Sequence, residues 1–231
     1  MVLSGLQKLT LLDYPGHVAC TLFTAGCDFR CPFCHNASLV YRDKELETYS
    51  EDDIINFLRK RKGTLDGVCI TGGEPLLHRD IAPFIARIKE EGYPVKLDTN
   101  GSYPERLREL IQNNLIDKVA MDIKNTKEKY GITVGIPDYD ISGVEKSVEM
   151  LLHGDIEYEF RTTVTKNFHT TEDMSEIARW IQGTKAYFLQ GFVDSGELID
   201  SEVEGHSPET MHEMLTAVQK YIPAAQLRGV E

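Results

Sequence analysis

Six stretches of this chain are dense in β-branched and other apolar residues. They fall at 17–24, 67–71, 94–98, 118–123, 157–165 and 185–190. Segments in which apolar positions return every three or four residues alternate with them, at 50–62, 79–92, 103–115, 143–153, 171–182 and 207–221. Short apolar runs bounded by turn residues predict buried strands, and a 3.6-residue period predicts helices with one face in the core. Ser50 stands as a cap before the first helix, and Thr171 and Asp173 open the fifth. Met211, Met214, Leu215, Val218 and Ile222 form a stripe on the last, which reads as core packing.

Strand and helix in alternation imply a parallel sheet with right-handed crossovers. The polar motifs then help to choose between an open sheet and a barrel. Cys27, Cys31 and Cys34 follow the first strand, and Gly72-Gly73-Glu74-Pro75 ends the second. Asp98-Thr99-Asn100-Gly101 ends the third, Asp122-Ile123-Lys124 the fourth, and Gln190-Gly191 the sixth, while Arg161 lies within the fifth. Carboxyl ends of parallel strands are where α/β folds place their sites. Motifs from so many strands can converge only if the sheet curls. The expected fold is therefore α/β, a partial barrel of six strands with outer helices, (β/α)6, in one domain over 1–231.

Composition narrows the function. The 231 residues are 41% hydrophobic and 27% charged, which suits a globular chain. A net charge of −12 with no basic run argues against nucleic acid as a partner. The sequence has no apolar run long enough to span a bilayer and no signal-peptide pattern at its start, so no membrane association is expected and the location reads as cytoplasmic. Disulfides are then not expected from the five cysteines.

Three of those cysteines crowd into Gly26-Cys27-Asp28-Phe29-Arg30-Cys31-Pro32-Phe33-Cys34-His35-Asn36. Thiolates are the usual ligands of iron–sulfur clusters, and three ligands leave one iron open for chemistry. Two other readings stand beside this one. A structural zinc site would need a fourth ligand, for which His35, Cys20 or Cys69 are available, but C-x3-C-x2-C lacks the paired second half of common zinc frameworks. Cys31-Pro32-Phe33-Cys34-His35 also fits the haem-attachment pattern, which goes with export. Cys20 and Cys69 fall inside predicted strands and read as buried, inert thiols.

C-x3-C-x2-C after the first strand, with an aromatic before the last cysteine and Gly72-Gly73-Glu74-Pro75 after the second, resembles the radical S-adenosylmethionine (SAM) superfamily. Asp13-Tyr14-Pro15-Gly16, Cys34-His35-Asn36, Leu97-Asp98-Thr99-Asn100-Gly101, Met121-Asp122-Ile123-Lys124 and Glu159-Phe160-Arg161-Thr162-Thr163 are similar to glycyl-radical-enzyme activating enzymes. Within that group the chain most resembles the activators of anaerobic ribonucleoside-triphosphate reductase, over about 5–192, leaving 193–231 as a C-terminal extension. A related small-molecule group, the 7-carboxy-7-deazaguanine synthases, is the alternative.

The resemblance implies a [4Fe–4S] cluster on Cys27, Cys31 and Cys34, SAM on its open iron, a glycyl radical enzyme as partner and a flavodoxin- or ferredoxin-type electron donor. It places Phe33 beside the adenine and Gly72, Gly73 and Glu74 at the methionine ammonium, where glycine lets backbone carbonyls approach. Lys124 and Arg161 match basic SAM contacts, and Asn100 lies in a motif that is also a turn signal. Asp98 and Asp122 match carboxylates that hold a monovalent cation beside the SAM carboxylate; a cation or Lys124 must balance them. Asp13 matches a residue near the glycine-abstraction site, though a carboxylate before Pro-Gly also forms turns. Gln190 stands where some relatives carry a histidine. His35 and His169 read as loop residues. With no further cysteines for a second cluster, one is the limit.

Overall fold

The computed structural model describes residues 3–43, 45–194, 196 and 198–230. They fall into two compact units, one of Met1–Asp28, Ser38–Thr99 and Tyr103–Val119, the other of Phe29–Ala37, Asn100–Ser102 and Ala120–Glu231.

In the first unit β1 (Leu3–Thr10) runs antiparallel to β2 (Ala19–Thr24), and β3 (Gly67–Gly72) and β4 (Val95–Thr99) continue in parallel. The register puts Leu22 beside Ile70 and Ile70 beside Leu97, three side chains sealed from solvent. Along the chain α1 (Ala37–Tyr41) and α2 (Glu51–Lys60) come before β3, and α3 (Ile81–Glu90) before β4. Next come α4 (Pro104–Gln112) and β5 (Lys118–Asp122), the strand in which the chain leaves this unit. Ser50 caps α2 as its sequence predicts: its hydroxyl accepts the Asp53 N–H at 3.1 Å, and the Asp53 carboxylate accepts the Ser50 N–H at 3.2 Å. Ile54, Ile55 and Leu58 of α2 and Phe84, Ile85 and Ile88 of α3 are buried, one stripe on each helix.

The second unit contains α5 (Tyr130–Thr133), α6 (Ser142–His153), β6 (Glu157–Val164), α7 (Thr171–Trp180), β7 (Tyr187–Gly191), α8 (Pro208–Gln219) and β8 (Gln226–Arg228). β6, β7 and β8 pair in parallel. The cap of α7 is Thr170, one residue earlier than the sequence suggests, in a box with Asp173. α8 packs on α7, and its Met211, Met214 and Val218 are buried, so the apolar stripe is core.

All six expected strands and all six expected helices are present. The extra strands are β1 and β8. β1 escapes a pattern search because its middle positions, 7–9, are exposed, and β8 is only three residues long. Among the described residues β1 has β2 as its one strand neighbour and β8 has β7. β8 is fixed by charge: the Arg228 guanidinium lies 3.4 Å over the Phe188 ring and donates at 2.8 Å to the buried carboxylate of Glu159. A buried carboxylate stays charged only with such a partner.

Candidate active site

In the second unit, Cys31, Phe33, Cys34, Asp122, Lys124 and Arg161 form one neighbourhood. β5 ends at Asp122 and β6 carries Arg161, and the Ile123 N–H donates to the Arg161 carbonyl at 2.8 Å. Asp122 accepts from Lys124 at 2.9 Å with one carboxylate oxygen and from Arg161 at 3.1 Å with the other. Burial works against the Asp122 charge, but Lys124 and Arg161 outweigh it and hold the carboxyl down at about 2. The Lys124 ammonium, which burial alone would weaken, is held charged by Asp122.

The charge of Lys124 also acts on the cysteines. Burial pushes the Cys31 thiol up to about 12, and Lys124 is the main charge opposing that rise, while Cys34 and Asp122 add to it. Cys31 is therefore a protonated thiol at ordinary pH. Phe33 is 3% exposed and packs on Phe168 and His169, with the Lys124 ammonium 6.0 Å from its ring centre. His169 lies in the loop after β6, as expected, yet it is buried, and its Nε2 donates to the Lys124 carbonyl at 2.8 Å.

The first unit holds Cys27, the glycine motif, Asp98 and Asp13. Gly72 has φ +119°, a backbone state that other residues rarely adopt. Any Cβ on Gly72 would lie 2.4 Å from the backbone N and O of Thr24, and one on Gly73 would lie 2.0 Å from the Gly26 carbonyl oxygen. The missing side chains thus admit the protein's own backbone: the Gly73 N–H donates to Thr24 O at 2.9 Å and the Glu74 N–H to Gly26 O at 2.8 Å. Close packing of the loop before Cys27 is thus a demand on these glycines besides the ligand approach that the resemblance implies.

Glu74 is fully buried, and its Oε1 accepts from the Leu76 N–H at 2.9 Å and the Thr99 hydroxyl at 2.8 Å. The Cys27 sulfur lies 3.8 Å from an Asp28 oxygen. Asp13 accepts from the Thr21 hydroxyl at 2.5 Å.

Two residues that sequence reasoning missed belong here. Lys96, 1% exposed, pairs with Asp98 two residues along the same face of β4. The alternation of a strand was the available signal, and it gives Asp98 a counter-charge of its own. Tyr103 lies near Cys27, Asp28 and Glu74; burial first, then Asp28 and Glu74, push its phenol up to about 12. It remains a hydrogen-bond donor at any ordinary pH. In the second unit, the Asn100 side chain accepts from Ser102 N–H and hydroxyl at 2.9 and 2.7 Å, the turn role its sequence suggests. Gln190 pairs in register with Thr163 and Arg228.

Residues 21–181 match the model of the radical SAM superfamily. The chain belongs to that superfamily. It is 32% identical over 237 residues to a Methanocaldococcus jannaschii protein, itself named provisionally as a glycyl-radical enzyme activating enzyme, covering 99% of this chain and 96% of that one. It is 30% identical over 135 residues to the pyruvate formate-lyase-activating enzyme of Staphylococcus aureus, covering 53% of each. Its fold is like that of Streptococcus suis SuiB, solved with the precursor peptide SuiA, with a TM-score of 0.69 at 16% identity over 89% of this chain and 47% of SuiB. The chain thus spans about half of that larger protein.

A radical SAM enzyme implies a [4Fe–4S] cluster and SAM. Among the described residues, no three His, Cys, Asp or Glu side chains are already gathered as a metal site. The fit rests on donor chemistry. All five cysteines are thiols, and three of them lie in the loop after β2. Lys124 is the main positive charge acting on Cys31, of the sign that would offset a bound thiolate.

Proposed function

We propose that this chain is the activating enzyme of a glycyl radical enzyme, and that its partner is the anaerobic ribonucleoside-triphosphate reductase. Cys27, Cys31 and Cys34 would hold the cluster. When bound and reduced by a flavodoxin- or ferredoxin-type donor, the cluster supplies the electron that splits SAM into methionine and a 5′-deoxyadenosyl radical, which takes hydrogen from a partner glycine.

The residues of the second unit bind and orient. Lys124 and Arg161 both pair with Asp122, which holds the two cationic groups in one place. Two cations so placed suit the SAM carboxylate, because charge-assisted hydrogen bonds to a carboxylate are the strong ones. Phe33 offers an apolar surface for the adenine and keeps water from Cys31. In the first unit, Glu74 fixes the turn after the two glycines, whose backbone would face the methionine ammonium, and Lys96 supplies at Asp98 the positive charge otherwise asked of a monovalent cation. Asp13, aligned by Thr21, would stand near the incoming glycine.

The observation that carries this reading is the Lys124–Asp122–Arg161 group set beside Cys31 and Phe33. The full-length similarity to an activating enzyme supports it. Anaerobic incubation with SAM, a reductant and the reductase should give the glycyl radical doublet in electron paramagnetic resonance. Formation of 5′-deoxyadenosine with no signal on any glycyl radical protein would overturn the activase assignment.

A further inference from the structure

Two hydrogen bonds tie the cysteine turn to the chain beyond β7. His35, the residue after Cys34, has Nε2 2.7 Å from the carbonyl oxygen of Val193; a carbonyl only accepts, so Nε2 carries the proton. The same ring lies nearly parallel to Phe192, with centroids 5.2 Å apart and planes 20° apart. On the other side of Cys34, the Pro32 carbonyl accepts the Asp200 N–H at 2.9 Å. Phe33 and Cys34 stand between these two attachments. Within the turn, the Cys34 N–H donates to the Cys31 carbonyl at 3.0 Å. Further along, the returning chain is itself anchored: Lys166 N–H donates to Glu204 O at 2.8 Å, His206 Nε2 to His169 O at 2.9 Å, and Val203 is buried.

We propose that Phe192, Val193 and Asp200 form a clasp over the turn 32–35, and that His35 is the positioning residue through which the clasp fixes the Cys34 thiol as a metal ligand. This rests on the reading of Cys34 as a cluster ligand. A turn of four residues belongs to no helix or strand, so its geometry must come from neighbours. Phe33 fixes it from the buried side, and His35 fixes it from the side nearer solvent. Histidine suits the task because a flat ring stacks on Phe192 while an N–H at its far edge reaches a carbonyl. Ligand-bearing side chains work within fractions of an ångström, so residues that hold them matter as much as the ligands. The clasp also gives the chain after β7 a role at the site, which its sequence does not suggest.

The test uses the full chain without iron, under anaerobic conditions, treated with iodoacetamide and read cysteine by cysteine by peptide mass spectrometry. His35→Ala should speed alkylation of Cys34 by roughly fivefold or more, since thiol reactivity follows access. Cys27 and the strand thiols Cys20 and Cys69 should keep their wild-type rates. Asp200→Pro removes the other N–H and should give the same selective rise, while His35→Gln, with an amide donor for Val193, should restore part of the protection. Wild-type labelling of Cys34 in both His35→Ala and Asp200→Pro overturns the clasp, as does a rise shared equally by Cys20 and Cys69. Anaerobic reconstitution then separates the two readings. If wild-type protein takes up no iron, the ligand assignment fails, whatever the labelling shows. If it does, iron should pass from His35→Ala to a chelator at least about fivefold faster than from wild type; equal rates remove the positioning role.

Discussion

His169 donates its Nε2 proton to the carbonyl of Lys124 at 2.8 Å, tying the loop after β6 to the residue that stands beside Cys31. Its Nδ1 accepts the Thr165 N–H at 3.1 Å, which fixes the neutral tautomer. Burial lowers its pKa from 6.5 to about 4. The unfolded chain therefore takes up this proton first as pH falls, so the stabilisation present above pH 6.5 is lost progressively down to about pH 4. Between pH 7 and pH 5 the loss from this one group should be about 2 kcal/mol. Urea unfolding at the two values checks it: His169→Gln should show a smaller fall, and an equal fall in both proteins would assign the effect elsewhere.

Arg161→Ala leaves Asp122 with Lys124 alone and removes one positive charge. SAM affinity should drop about tenfold to a hundredfold, the usual value of a charge-assisted hydrogen bond, with iron and sulfide content unchanged. Equilibrium binding to the reconstituted protein measures this. Unchanged affinity would remove Arg161 from the SAM site.

Gly73→Ala puts a methyl group 2.0 Å from the Gly26 carbonyl oxygen, a contact that only backbone movement relieves. Overpacking of this kind costs about 1–3 kcal/mol. The urea midpoint should fall accordingly, and the loop before Cys27 should shift with it. A variant as stable as wild type would mean that the loop yields freely.

Cys31→Ser should abolish the cluster's visible absorbance and SAM cleavage together, while Cys69→Ser should keep both. Cys31 and Cys69 are both buried, so burial alone does not separate them. A Cys31→Ser protein that keeps a full complement of iron and still cleaves SAM would end the ligand assignment.

Much of the second unit's group was legible before folding. Asp122 and Lys124 flag themselves as two charges at the end of an apolar strand, and Arg161 as a charge within one. Which cation neutralises which carboxylate was not legible. The sequence left Asp98 and Asp122 needing a cation or Lys124; the fold answers with Lys96 at one and with Lys124 and Arg161 at the other. Tyr103 carried no local signal, because a tyrosine before a helix is ordinary, and the motif that flags His35 says nothing of its carbonyl partner. His35 meets its carbonyl partner 158 residues away.

From the order of residues alone came the strand–helix alternation, the three-cysteine loop, the glycine pair and the family they resemble, since each depends on neighbours within a few positions along the chain. Tertiary structure alone decided that Thr24 and Gly26 occupy the space the glycines leave, that His169 is neutral and buried, and that the chain beyond β7 returns to the cysteine turn. Periodicity reports which face of an element is apolar. It carries no information on which distant backbone group will lie against that face, and at this site those groups set the charge and position of the side chains.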